Sequence, residues 1–182
     1  RREEPLQDVP IALSAFSAER IVNAGAPDIT WLQQSTPNLT LQVARGSNST
    51  LIAFIRGIGQ QDPLWGFEPG VGLYVDGVWQ DGFGFQQMNF SEMERIEVLR
   101  GPQGTLFGRN TNGGAVNMTT KKPADEFGAR VRLDVGDFNR RDASLAVDLP
   151  ITETLKTKFI GATARNDGFL EQLRAKVDPQ RP

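Results

Sequence analysis

Carboxylates are the side chains of this sequence that could do acid–base chemistry. Glu94 and Glu97 lie three residues apart, and Asp76 and Asp81 lie five apart. Paired carboxyl groups about 5–10 Å apart are the arrangement that glycoside hydrolases use. Carboxylates that are close in sequence are more often solvated or salt-bridged, so the spacing leaves both interpretations open.

Other catalytic chemistry is excluded by composition. The 182 residues include neither cysteine nor histidine, which excludes thiolate nucleophiles, Ser-His-Asp triads and nearly all zinc sites. The run GVGLYV at 70–75 lacks the third glycine of a dinucleotide-binding motif, and GPQGTLFGRNT at 101–111 lacks the Gly-Lys-Ser/Thr ending of a phosphate-binding loop. We therefore assign no catalytic residue and expect neither a metal nor a cofactor.

Two arginines stand at the ends of apolar runs. Arg56 ends LIAFIR, and Arg100 ends IEVLR. A half-buried guanidinium requires carboxylate partners, so the two positions are either a site of buried ion pairing or two surface arginines. The formal net charge of −2 indicates no nucleic-acid partner.

Short helices and strands must position these side chains. Ser17 as N-cap and Gly25 as a stop signal predict a helix with Ile21 and Val22 facing inward. A second helix, capped by Asp28, is predicted to end before the sequence TPN.

Apolar runs between glycine-rich loops predict short strands at 39–43, 50–57, 71–79, 96–101 and 114–121. Asp76-Gly77 predicts a tight hairpin within the third of these. Single helical turns are predicted at 92–95 and 104–108. Short helices mixed with short strands favour a small α+β domain.

The last third of the sequence has a different pattern. Alternation of apolar and charged residues predicts an antiparallel meander with strands at 127–135, 142–150 and 155–165. Strands with one apolar and one charged face are what transmembrane β-barrels require, although half-buried strands of a soluble sheet show the same pattern. No apolar run approaches the roughly 20 residues of a transmembrane helix, so membrane contact is expected only through strands.

One segment carries a specific family resemblance. MERIEVLRGPQGTLFGRNTNGGAVNMTTKKP, at 93–123, resembles the C-terminal part of the plug domain of TonB-dependent outer-membrane receptors. Four upstream segments resemble earlier elements of the plug domain and occur in the same order: QDVPIALSAFSAERI, TPNLT, FIRGIG and GVGLYVDGVW. The resemblance implies an α+β plug domain, a small mixed sheet with short helices, over residues 1–123. It implies the first three strands of a transmembrane β-barrel over residues 124–182.

The resemblance also implies a function. In this family the plug fills a barrel of about 22 strands and gates energy-coupled uptake of a scarce nutrient, with iron–siderophore complexes the commonest cargo and cobalamin or sugars as alternatives. The implied location is the bacterial outer membrane, and the chain is expected not to be an enzyme. The implied partners are the remaining barrel, outer-membrane lipid, a small ligand such as a ferric siderophore, and TonB of the TonB–ExbB–ExbD complex. TonB contact is expected through a TonB box upstream of this sequence.

Site residues follow from the same resemblance. Arg56 and Arg100 match the plug arginines that form an ion-pair lock with barrel glutamates and with acids of the plug, here Glu94 and Glu97. Apical loops at 44–49, 59–68 and 79–86 are expected to contact the substrate through one charge, two amides and several aromatic rings: Arg45, Gln60, Gln61, Trp65, Phe67, Trp79, Phe83 and Phe85.

Two other hypotheses remain. The first is a soluble periplasmic binding or interaction module built on a plug-like fold, and the second is a carboxylate-dependent hydrolase. An amphipathic meander with an exposed apolar face is an aggregation liability for a free-standing module. Because three strands cannot close a barrel, the receptor hypothesis predicts that the sequence is part of a longer chain. No signal peptide is expected within it, because no apolar segment follows its N-terminal arginines.

Overall fold

The chain folds as two units. The structure is a computed structural model that describes residues 11–25, 29–43, 51–61, 68–80, 92–165 and 167. Contacts between residues divide the chain into Arg1–Lys121 and Lys122–Pro182. Within the described ranges, no helix is long and apolar enough to cross a membrane.

The helices of the first unit are short. Helix α1 spans Ala18–Asn23, and the Ser17 hydroxyl caps it by accepting a hydrogen bond from the Arg20 amide at 3.4 Å. Ile21 is buried as predicted, but Val22 is 42% exposed, so its predicted inward orientation is wrong. Neighbouring helical residues point about 100° apart, and a helix of this length buries only one of them.

The second helical segment ends where the sequence predicts. A 3-10 turn at Ile29–Trp31 leads into α2 at Leu32–Ser35. Ile29 and Leu32 are both buried. The chain then turns into the first strand of a small sheet.

A five-stranded sheet forms the centre of the first unit, and we call it the central sheet. Its strands, in spatial order, are β1 (Ala12–Ser17), β7 (Met93–Arg100), β8 (Gly114–Thr120), β5 (Val71–Val75) and β6 (Val78–Trp79). Strands β5 and β8 run parallel, and the other pairs are antiparallel.

Strand β7 corrects one sequence-based prediction. The helical turn predicted at 92–95 is wrong, because Met93–Arg100 is one continuous strand. On one side the strand pairs with β1 from Arg95 onward, with Arg95 opposite Ser17, and on the other it pairs with β8 from Met93 onward. Pairing on both sides outweighs a local preference for a turn.

A second sheet, the small sheet, contains β2 (Leu39–Val43), β3 (Leu51–Ile55) and β4 (Ile58–Gly59) in that order. Arg56 and Gly57 form the β3–β4 turn with φ of 53° and 80°, and Asp76 and Gly77 form the β5–β6 turn with φ of 50° and 80°. Two consecutive positive φ angles are typical of the type I′ turn that suits hairpins. The hairpin predicted at Asp76-Gly77 is confirmed.

The main hydrophobic core lies where the helices and the small sheet pack on one face of the central sheet. Its buried side chains come from nearly every element of the unit: Phe16, Ile21, Ile29, Leu32, Leu39, Leu41, Leu51, Ile55, Val71, Leu73, Met93, Ile96, Val98, Val116 and Met118. We call this side of the central sheet the core face and the other side the second face.

The second face is covered in part by the loop that follows β7. This loop contains α3 (Gly104–Phe107). The Tyr74 hydroxyl donates to the Phe107 carbonyl, and the two rings lie 4.8 Å apart. The buried Thr111 hydroxyl donates to the Gly108 carbonyl at 2.7 Å. Gly72 leaves the space for this packing, since a Cβ there would lie 2.5 Å from Thr111 Cγ2.

The second unit is a three-stranded antiparallel meander, the tail sheet. It contains β9 (Gly128–Gly136), β10 (Arg140–Pro150) and β11 (Lys156–Arg165), with β10 in the middle. The apolar side chains of one face are largely exposed, among them Val131 at 68%, Leu133 at 72% and Val135 at 85%. The predicted alternation is confirmed.

Tyr74 offers a spectroscopic test of the loop packing, because it is the single tyrosine of the sequence. Burial raises the pKa of its phenol above the usual 10.0. We expect the phenolate absorbance of the folded chain to appear at higher pH than that of the chain in urea. The packing stabilises the fold at pH values below the pKa of the Tyr74 phenol in the unfolded chain. This stabilisation is lost as the pH rises through the higher pKa of the same phenol in the folded chain. Coincident titration curves would contradict the packing.

Removal of the same hydroxyl tests its hydrogen bond. Tyr74→Phe should lower the free energy of unfolding by about 0.5–1.5 kcal/mol, because it takes a buried donor from the Phe107 carbonyl. Urea unfolding of residues 1–123 measures the change. Val78→Ala is the control, since Val78 is 63% exposed and should change stability by less than about 0.5 kcal/mol. Equal effects of the two substitutions would show that the hydroxyl contributes nothing specific.

Candidate functional site

Four glycines bring three strand ends of the central sheet into direct backbone contact, and we call them the glycine junction: Gly70, Gly101, Gly113 and Gly114. The Gly113 amide donates to the Gly70 carbonyl at 2.8 Å, and the Gly101 amide donates to the Gly113 carbonyl at 2.9 Å. Gly114 has φ of +147°, and a Cβ there would lie 2.2 Å from the Leu99 carbonyl oxygen. Larger residues therefore do not fit at Gly114.

The β3–β4 hairpin packs directly against this junction. A Cβ on Gly113 would lie 2.9 Å from the Ile58 carbonyl oxygen, and one on Gly70 would lie 3.0 Å from the Gly59 nitrogen. Contacts this close are possible only between side-chain-free backbones. The hairpin carries Arg56 in its turn, so the junction sets the position of that arginine.

The structure brings Arg56 to the end of β7, where Arg100 is the last residue. The Arg56 Nη1 atom lies 3.7 Å from the position that a Cβ on Gly101 would occupy. The Arg56 amide donates to the Asn38 carbonyl at 2.9 Å, and its side chain is exposed. Arg100 is half-buried, and its Nε is buried without a hydrogen-bond partner among the described residues. A buried N–H of this kind requires an acceptor.

Neither predicted acid of the plug lies against these arginines. Glu97 is three residues from Arg100 on one strand, so the two side chains project from opposite faces. The Glu97 carboxylate instead accepts a hydrogen bond from Asn117 Nδ2 at 2.9 Å and pairs with Arg95 Nε at 3.3 Å. Glu94 is exposed and lies six residues, roughly 20 Å, along β7 from Arg100. The described ion pairs include none between either acid and Arg56 or Arg100.

The cluster of Arg95, Glu97 and Asn117 was not singled out by sequence reasoning. Asn117 is 2% exposed in the middle of β8, and its Oδ1 is buried without a described donor. The register places Asn117 directly opposite Glu97. The sequence signal for this pair is an asparagine interrupting the apolar run GAVNM, whose partner is visible only once the register is known.

The predicted substrate-contacting residues fall into two groups. Gln60 and Gln61 follow β4, the first half-buried and the second exposed, and Trp79 lies on β6 opposite Tyr74 with 42% of its surface exposed. The others lie outside the described residues: Arg45, Trp65, Phe67, Phe83 and Phe85. Among the described residues, no group of three or more carboxylates is arranged to hold a metal ion.

Known proteins match both the sequence and the fold. The profile of the TonB-dependent Receptor Plug Domain matches residues 5–115. The iron-regulated outer membrane virulence protein of Vibrio cholerae is 31% identical over 180 residues, which cover 89% of this chain and 26% of that protein. The vitamin B12 transporter BtuB of Vibrio vulnificus is 24% identical over 173 residues, covering 93% of this chain and 27% of that protein.

A solved structure gives the same result. The ferric yersiniabactin uptake receptor FyuA of Yersinia pestis matches with a TM-score of 0.69 at 26% identity, over 82% of this chain and 24% of that one. The chain thus spans about a quarter of the length of the relatives it matches. Its fold is the predicted one, a mixed-sheet plug followed by antiparallel strands, and it belongs to the TonB-dependent receptor plug family of the bacterial outer membrane.

Proposed function

We propose that the chain is the plug and the first barrel strands of a receptor that gates energy-coupled uptake of a scarce nutrient. The observation that carries this proposal is the two-sided character of the tail sheet. One face presents apolar side chains such as Val131, Leu133 and Val135 with more than two thirds of their surface exposed. A barrel wall requires such an apolar band toward lipid.

The opposite face of the tail sheet is charged and internally paired. Arg132 Nε lies 2.8 Å from Asp134 Oδ2, and Arg140 Nε lies 2.6 Å from Asp142 Oδ2. Polar side chains of this kind suit the lumen side of a barrel wall. A soluble binding module would instead leave the apolar face in water, where it favours aggregation.

The arginines at the glycine junction are the proposed attachment of the plug to the barrel. The Arg56 guanidinium lies beside Gly101, the residue that follows Arg100, and the buried Nε of Arg100 has no described acceptor. Carboxylates of the barrel wall would neutralise the two arginines and accept a hydrogen bond from Arg100 Nε. The lock is therefore proposed between Arg56 and Arg100 of the plug and barrel glutamates, with Glu97 held on the second face by Arg95.

The proposed cargo is an iron–siderophore complex. The names of the Vibrio cholerae and Yersinia pestis relatives refer to iron, whereas BtuB is a vitamin B12 transporter. Among the described residues of the predicted loops, Gln60 and Gln61 supply amides and Trp79 supplies a ring that is 42% exposed, and groups of these two kinds suit a bulky ligand. TonB of the TonB–ExbB–ExbD complex is the proposed energy-coupling partner, through a TonB box upstream of this sequence.

Uptake of labelled cargo tests this proposal. A strain that carries the complete receptor should accumulate iron from a ferric siderophore in low-iron medium and should lose this uptake when TonB is deleted. A panel of ferric siderophores and cyanocobalamin identifies the cargo class. Uptake that does not depend on TonB would contradict energy coupling. Uptake of cobalamin alone would show that the cargo is a cobalamin and not an iron–siderophore complex.

Loss of Arg100 tests the attachment. Arg100→Ala in the complete receptor should loosen the plug, because breaking one partner of a buried ion pair costs about 3–5 kcal/mol. We expect a lower melting temperature in detergent and faster passive entry of a large antibiotic. Arg109→Ala is the matched control, since Arg109 is 83% exposed and paired with Glu68 at the surface, where such pairs contribute about 0–1 kcal/mol. If Arg100→Ala behaves like the control, Arg100 does not attach the plug.

A further inference from the structure

Two arginines lie side by side on the apolar face of the tail sheet, and we call them the arginine pair: Arg141 on β10 and Arg165 on β11. The β10–β11 register places them directly opposite each other, and the β9–β10 register places Val135 opposite Arg141 on its other side. Directly opposite residues of an antiparallel sheet point to the same face, with Cβ atoms about 4.5–5.5 Å apart. The pair therefore shares a face with Val135, which is 85% exposed.

Neither arginine has a carboxylate partner within the part of the chain that the structure describes. Both are exposed, and the described ion pairs include neither of them. Asp167, two residues beyond Arg165, accepts a hydrogen bond from Asn139 Nδ2 at 3.1 Å instead. Like charges that lie directly opposite each other destabilise a sheet. An anion supplied from elsewhere would therefore stabilise the arginine pair.

The acids nearest to the pair along the strands belong to the charged face. Asp142 follows Arg141 in sequence, but it points to the other side of the sheet and pairs with Arg140. Asp134 lies opposite Asp142 and pairs with Arg132. Arginines of the charged face thus have carboxylate partners, whereas the two on the apolar face have none among the described residues.

The arginine pair lies at one end of the apolar face. Strand β10 begins at Arg140, and Leu149 lies near its other end on the same face as Arg141. The eight residue steps between Arg141 and Leu149 span about 26 Å along the strand. A barrel-strand tilt of about 35–45° reduces this length to about 20 Å across the membrane, close to the height of about 25 Å of an apolar barrel band. In a barrel wall the pair therefore lies near a membrane–water interface, where an outward-facing arginine costs little.

We propose that the arginine pair binds the phosphate of a membrane lipid headgroup at this interface. A guanidinium group donates two parallel hydrogen bonds to phosphate oxygens, and a phosphate between the two side chains would neutralise their repulsion. Val135 and Leu133, which are 85% and 72% exposed on the same face, would contact the acyl chains of the same lipid. These apolar neighbours favour a lipid over a free phosphate ion. The inference rests on the proposed function, because a barrel wall presents this face to lipid.

Lipid binding to the purified full-length receptor, without cargo, tests the site. Phosphatidylglycerol is titrated against the receptor in a neutral detergent, and bound lipid is counted by native mass spectrometry. Arg141→Gln and Arg165→Gln should each weaken binding about fivefold, and the double variant about 30-fold, because each basic side chain at a lipid surface adds its own attraction to anionic headgroups. Arg140→Gln is the matched control, a neighbouring arginine on the charged face, and should leave binding unchanged.

Two further probes separate a lipid from other ligands. Diacylglycerol with the same acyl chains should bind much more weakly than phosphatidylglycerol, because it lacks the phosphate. Inorganic phosphate at the same concentration should not displace phosphatidylglycerol, because it lacks the acyl chains. Both arginines are exposed, so the glutamine variants should fold, and the two single variants give the result if the double variant does not.

Three results would overturn the inference while leaving the proposed iron uptake untouched. These are equal binding by the arginine variants and Arg140→Gln, equal binding of diacylglycerol and phosphatidylglycerol, and displacement of the lipid by inorganic phosphate. A receptor that is absent from the outer-membrane fraction of cells would instead overturn both the inference and the proposed function.

Discussion

Backbone contact at the glycine junction is the constraint on which the proposed site depends. At Gly114 a single Cβ would come within 2.2 Å of a carbonyl oxygen of β7, and at Gly113 and Gly70 it would meet the β3–β4 hairpin. Side chains larger than hydrogen would push the hairpin away from the central sheet. Arg56 would then leave its place beside Gly101 at the end of β7.

The alternation of side chains along β7 separates two polar sites that are neighbours in sequence. Arg100 ends the strand on the core face, where its Nε remains available to an acceptor from outside the described residues. Glu97 projects from the second face and is already held by Asn117 and Arg95. A carboxylate with two partners of its own is poorly suited to neutralise Arg100. The geometry therefore favours barrel acids as the partners in the proposed lock.

Local and repeating signals in the sequence predicted much of this architecture. The Asp76-Gly77 turn, the Ser17 cap and the alternation in β9 depend on residues close in sequence, and all three are confirmed. The family, the fold class and the outer-membrane location follow from the segment at 93–123, and the comparisons confirm them. The turn predicted at 92–95 is wrong because β1 and β8 pair with that segment from distant parts of the chain. The roles of Tyr74 and Asn117 were missed for the same reason, since their partners Phe107 and Glu97 are 33 and 20 residues away.

An experimental structure of the complete receptor would give the distance from Arg100 Nε to its acceptor and so show what holds the plug in the barrel. We expect a carboxylate oxygen of the barrel wall within about 4 Å of the Arg100 guanidinium, with Arg56 nearby and Glu97 still bonded to Asn117. An Arg100 side chain that pairs with Glu94 or Glu97 of its own plug, or that lies in solvent, would contradict this expectation.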